Sequence, residues 1–280
     1  MNLILLSGLP RSGSTLLMNI LNQNSKFTIG DDSEIGNLLN WNRKFICENI
    51  HHFQLPHEKV ADCFLEFCRG GVTSWINQIS TNENIFVDKS RHWTYDLDFT
   101  FSVFPSAKIL ILVRDLRGVI NSFQKIYNNS LYVKKEDFIY DLNCDLEIRR
   151  TQEFFEFQYL KMPLFNIKKI IDSTPKYFNQ ILFCRYEDLV YNPKKEIEKI
   201  YNFLNIDKFE HDFNNVVQKS YYDNPYQPWG IHKIQNEIKF ENINSLDYIK
   251  QSTKDYILQH NFWYYKHFYP DILMEEQFGL

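Results

Sequence analysis

Apolar residues follow two rhythms along this chain. Short unbroken runs, Leu3-Ile4-Leu5-Leu6, Ile85-Phe86-Val87, Lys108-Ile109-Leu110-Ile111-Leu112-Val113 and Gln180-Ile181-Leu182-Phe183-Cys184, each stop at polar or glycine-rich turns. Runs of that length with turn signals beside them predict buried strands. Ser25 to Gly30 brings the chain back to the sheet, and Ser33 or Asp32 is placed to cap the segment that follows. Between the runs, apolar positions recur at helical spacing. This predicts helices over Leu16–Leu21, over about 35–79 with interruptions at Pro56 and Gly70-Gly71, and over Tyr95–Phe104 with a stop at Pro105. Further helices are predicted from near Val119, over 142–174 with a break around Pro163, behind Pro193 over Glu196–Leu204, and over Ser252–Tyr269. Residues 219–240 are polar and aromatic without periodicity and read as a long loop, a feature that often carries function.

Strands that alternate with helices imply parallel β-α units. The expected fold class is α/β, a three-layer sandwich around a central parallel sheet with a P-loop-like nucleotide-binding arrangement. No internal repeat or low-complexity linker divides the chain. One domain over 1–280 is the simplest reading, with helical insertions at about 35–80 and 140–175.

Charge and composition narrow the classes. A net charge of −4 argues against general nucleic-acid affinity, which needs a basic face. The 24 Phe and 17 Tyr are read as filling core and cleft walls rather than as a cofactor box. Five cysteines, Cys47, Cys63, Cys68, Cys144 and Cys184, form no C-x-x-C pair, so neither a disulfide framework nor a zinc site is expected. No signal peptide is visible and no run reaches the roughly 18 apolar residues of a membrane span. The expectation is a cytoplasmic protein without a membrane span.

The first strand run opens into Gly8-Leu9-Pro10-Arg11-Ser12-Gly13-Ser14-Thr15, followed by a helix start. Turn amides and a helix N-terminus together make a cradle for an anion. The spacing is that of a Walker loop, but Ser14 stands where the lysine belongs and the nearest cation is Arg11, three places earlier. The bland alternative is a plain strand-turn-helix with a surface arginine. Against it, four strand ends carry polar groups, Arg11, Lys89, Arg114 and Tyr186. In an open parallel sheet those ends face one crevice. Three cations and a ring there suit a nucleotide with more than one anionic group.

At this point the sequence resembles a known family. Gly8 to Leu16 is similar to the 5′-phosphosulfate loop of sulfotransferases that use 3′-phosphoadenosine 5′-phosphosulfate (PAPS). Val113-Arg114-Asp115-Leu116-Arg117-Gly118-Val119-Ile120-Asn121-Ser122 is similar to their 3′-phosphate motif, and Arg185 to Ile197 resembles the stretch after a later core strand. The resemblance implies that Pro10, Arg11, Ser12, Gly13, Ser14 and Thr15 surround the 5′-phosphosulfate, with Arg11 and the turn amides as donors. It implies that Arg114 and Ser122 hold the 3′-phosphate, Tyr186 lies on the adenine side, and Lys233 in the late loop closes over the nucleotide. PAPS is then the donor and 3′,5′-adenosine bisphosphate (PAP) the product, with no metal demanded.

Lys89 matches a catalytic lysine of the protein-tyrosine sulfotransferase branch, with Arg91 as a stand-in should the register differ. For the base, that branch points to Asp32, a shorter side chain than the family's glutamate; Glu34 and His92 stay open beside it. Trp229 and Tyr226 are candidates to line the acceptor cleft. The acceptor is a hydroxyl, or an amine, of a peptide tyrosine, glycan, lipid or small metabolite. Two other classes remain: a small-molecule P-loop kinase, disfavoured by Ser14, and a nucleotide-binding module without catalysis.

Overall fold

The computed structural model describes residues 3–30, 33–80, 85–129, 145–173, 175–217 and 245–278. Among them, five strands form one sheet: β1 (Leu3–Gly8), β2 (Phe27–Gly30), β3 (Ile85–Lys89), β4 (Lys108–Val113) and β5 (Ile181–Arg185). Their order is β2-β3-β1-β4-β5, and every pair is parallel. Register pairs Leu6 with both Lys89 and Leu110, and Val113 with Arg185. From β1 the chain travels outward to β2 on one side and later returns to β4 on the other. The crevice at the carboxyl end of β1 is therefore the topological switch point, where ligands of such sheets bind.

Twelve α-helices also lie among the described residues: α1 (Ser14–Leu21), α2 (Ile35–Asn49), α3 (His57–Ile79), α4 (Leu97–Val103), α5 (Leu116–Asn129), α6 (Leu146–Glu156), α7 (Gln158–Ser173), α8 (Tyr186–Tyr191), α9 (Pro193–Leu204), α10 (Gln251–His260), α11 (Phe262–Phe268) and α12 (Pro270–Phe278). Side-chain alternation along the strands feeds two cores. Leu3, Leu5, Ile109, Ile111 and Val113 face α4, α5, α7 and the C-terminal helices, and Ile4, Leu6, Leu110 and Leu112 face α1 and α9. Both faces of β4 are covered, which is why its sequence is apolar without alternation. Three layers around a parallel sheet is the expected architecture.

Several helix limits differ from the sequence reading. Helix α3 runs unbroken through Gly70-Gly71, because it is held by Val60, Cys68, Val72 and Ile76 and nothing crowds the glycines. The break in 142–174 falls at Phe157, not Pro163. Phe157 takes an extended backbone, and its carbonyl accepts from the Lys161 amide at 2.9 Å to open α7, leaving Pro163 inside that helix near its start. Helix α5 begins at Leu116 because the Asp115 carboxylate accepts from the Arg117 amide at 2.9 Å. The C-terminal helical stretch divides at Asn261, whose side chain donates to the Ile257 carbonyl. The 219–240 loop lies outside the described residues.

Candidate functional site

The loop after β1 crosses the switch point and is shaped by its own side chains. Ser12 is buried and its hydroxyl donates to the Leu9 carbonyl at 2.6 Å, closing the turn. Arg11 holds a left-handed backbone, φ 61°, uncommon for a residue with a Cβ. Gly13 also sits at positive φ and precedes α1, whose N-terminus is capped by no side chain among the described residues. The first amides of α1 thus stay available at the positive end of the helix. The Ser12 hydroxyl proton is already used by the turn, which leaves its backbone amide as the donor it could offer an anion.

Residues far apart in sequence then converge on this loop. The Arg11 Nε donates to the Ser122 hydroxyl on α5 at 2.8 Å. Arg114, at the end of β4, donates from Nη1 to the Arg11 carbonyl at 2.7 Å. Its guanidinium lies over the Tyr186 ring, 4.4 Å from the centroid, a cation–π arrangement. Tyr186 in turn packs against Gly13, where an added Cβ would come within 2.5 Å of the ring. Gly118 has a matching role on α5, since a Cβ there would stand 3.0 Å from the Arg114 Nε.

Of the ion pairs open to Asp115, the structure forms the one with Arg117. Its carboxylate accepts from Arg117 at 2.8 Å, which leaves the Arg114 side chain directed to the loop and ring. Burial, and then the neighbouring charge of Arg114, pull the Arg11 guanidinium below its ordinary value. Two guanidiniums held side by side in a sheltered crevice, with helix amides beside them, favour a bound anion on both counts.

Lys89 closes β3 opposite Leu6. Alternation puts it on the face shared by Ile85 and Val87, the side that α1 covers. Arg91, two residues past the end of β3, lies over the Tyr159 ring at 5.4 Å. Glu34 is exposed at the start of α2 with φ 54°, and its carboxylate accepts from Asn37 at 2.9 Å. His92 shares a hydrogen bond with the Ser90 hydroxyl and packs on Tyr95. Asp32, Lys233, Tyr226 and Trp229 lie outside the described residues.

The structure adds groups the sequence reading did not single out. Asp88, buried, accepts from the Ser33 hydroxyl at 2.5 Å and from the Trp93 indole at 2.7 Å, tying the start of α2 to the end of β3. Glu187, beside Tyr186, accepts from the Asp115 amide and the Tyr269 hydroxyl. Burial raises its carboxyl above the usual range. Tyr186-Glu187 is visible as a pair after a strand, but no spacing signals where a carboxylate will find a partner 72 positions away.

A sequence model of the Sulfotransferase family matches residues 4–211, most of the chain. The chain is similar to protein-tyrosine sulfotransferase 1 of Danio rerio, 23% identical over 211 residues that cover 74% of this chain and 54% of the relative. It spans between 54% and 65% of the length of the curated relatives it matches. Among solved structures it shares the fold of the sulfotransferase domain of the Synechococcus PCC 7002 olefin synthase, with TM-score 0.53, 19% identity, and 92% and 93% of the two chains covered. It also shares that of mouse sulfotransferase SULT7A1 complexed with PAP, with TM-score 0.50, 12% identity, and coverage of 92% and 84%. The stretch matched by the family model takes in the loop after β1, Arg114 and Tyr186 and is well over half of the sequence: this chain belongs to the sulfotransferase family.

Proposed function

We propose that the chain transfers a sulfuryl group from PAPS to a hydroxyl acceptor. The observation that carries this reading is the joining of Arg11, Ser122, Arg114 and Tyr186, from three strand ends and a helix, into one connected cluster. A P-loop kinase needs a lysine at this place in the loop, where this chain has Ser14. Arg11 and the amides opening α1 suit a 5′-phosphosulfate, while Arg114 with Ser122 suits a 3′-phosphate. Tyr186 offers its ring to adenine, and Gly13 leaves room for that ring.

PAPS supplies an activated sulfuryl group when bound. What the chain must then do is hold the acceptor oxygen in line and stabilise charge growing on the departing oxygen. Lys89, on the α1 face of the sheet edge, is assigned the second task. The acceptor proton goes to a carboxylate that follows β2; Asp32 is the first choice and Glu34, exposed at the head of α2, the second. The likeness to a tyrosine-acting relative supports a tyrosyl hydroxyl of a peptide as the first acceptor to assay.

Calorimetry with PAP and ATP tests the reading. PAP binding in the micromolar range with no heat for ATP is the expected result, and the reverse ranking overturns it. Arg114→Ala is expected to remove PAP binding. Lys89→Ala keeps PAP affinity but lowers transfer of labelled sulfate by about two to three orders of magnitude, the scale of losing a charge-stabilising donor. An unchanged rate removes Lys89 from the mechanism.

A further inference from the structure

The backbone that carries Arg114 is held from the C-terminal helices. The Tyr264 hydroxyl on α11 accepts from the Arg114 amide at 3.2 Å and donates to the Arg114 carbonyl at 2.8 Å. One phenol thus satisfies both main-chain groups of the residue where β4 runs out of strand partners. Next to it, the Tyr265 hydroxyl donates to the Asp115 carboxylate at 2.7 Å and accepts from the Arg117 amide at 3.3 Å. Tyr269 donates to Glu187 at 2.7 Å, and Glu187 holds the Asp115 amide at 3.0 Å. The first two rings are wholly buried and Tyr269 nearly so. All three lie beyond residue 211, where the family match ends.

Hydrophobic packing alone would be met by phenylalanine, which also avoids burying a hydroxyl. Each hydroxyl here instead reaches the 114–117 turn or the carboxylate that holds it. Burial raises the Tyr264 and Tyr265 phenols well above their ordinary value, so both remain protonated and able to donate. The Arg114 guanidinium has its own contacts, the Arg11 carbonyl and the Tyr186 ring, and these are reached only if the main chain at 114 points the right way.

We infer that Tyr264 is a positioning residue for the nucleotide 3′-phosphate, fixing the Arg114 main chain so that its guanidinium is held ready at the crevice. This inference rests on the proposed nucleotide site. Its ligand is a nucleotide bearing phosphates on both the 3′ and 5′ positions, and a nucleotide with only the 5′-phosphate does not sense it.

Tyr264→Phe removes one oxygen and keeps the buried ring. The expected result is a PAP dissociation constant raised about tenfold, the order of losing hydrogen bonds that orient a charged group. Binding of adenosine 5′-monophosphate should change by less than about twofold, because Arg114 is not asked to meet a 3′-phosphate. A purely structural tyrosine would lower the unfolding temperature and leave the ratio of the two affinities where it was. An unchanged ratio in a variant whose wild type does bind PAP overturns this inference alone; a wild type that binds no PAP overturns the nucleotide reading and the inference with it. Should Tyr264→Phe fail to fold, Tyr265→Phe provides the second measurement. A shift in the same ratio supports the bracing of 114–117 by α11, and no shift overturns it.

Discussion

At the scale of single residues, the site depends on places where side chains are missing as much as on those present. Gly13 sits at φ 87° with the Tyr186 ring against it, and the Arg114 guanidinium lies over that same ring. Gly13→Ala is expected to lower stability by about 1–2 kcal/mol, the cost of a left-handed conformation for a residue with a Cβ. It should also weaken PAP binding, since the ring must move. Urea unfolding and calorimetry read the two effects separately, and a fully stable variant with native affinity would contradict this loop geometry. Arg11 bears a similar conformational cost in the wild type and is held by the bond that Arg114 makes to its carbonyl. Both glycine and arginine are visible as a motif in the sequence. That Ser12 turns inward, and that Ser122 meets Arg11 directly, required the folded loop.

At the scale of elements, the segment after α9 is pinned to the end of α1 by a small polar chain. Asn24 donates to the Tyr201 hydroxyl at 3.0 Å, and that hydroxyl is 2.9 Å from the His211 Nε2. Burial holds the His211 imidazole below its ordinary value. A lowered folded value means that the unfolded chain binds the proton more readily. The contribution is therefore complete above the unfolded value, about 6.5, and is lost as the pH falls below it. His211→Gln should flatten the decline of stability between about pH 7.5 and 5 relative to the wild type; parallel curves for the two proteins would remove His211 from that decline. Strands are readable from sequence because both faces of β4 and β1 are covered, and an unbroken apolar run is what a strand buried on both sides requires. Helix breaks are less so. Pro163 is a strong local signal, yet the chain bends at Phe157, whose extended backbone separates α6 from α7.

At the scale of the whole molecule, the crevice is assembled from β1, β4, β5 and α5 and locked from α11, so a ligand there couples to the entire fold. PAP at about a hundredfold excess over its dissociation constant should add about 2.7 kcal/mol of stability. For a chain of this size the unfolding temperature then rises by on the order of 5 °C. Thermal unfolding with PAP, adenosine 5′-monophosphate and ATP should rank the three in that order, and no shift with PAP would count against the proposed site. The parallel three-layer fold, the glycine turn after β1 and the arginine that follows β4 are legible in the sequence alone, because they rest on local patterns: apolar period, glycine placement, and a cation just past a strand. Which partners those residues take depends on the folded chain. Asp115 pairs with Arg117 rather than Arg114, and Arg114 receives its support from Tyr264, 150 positions away. Hydrogen bonds over such separations obey no periodicity. They exist because the sheet order brings the end of β4 beside the C-terminal helices, where buried polar groups must find one another.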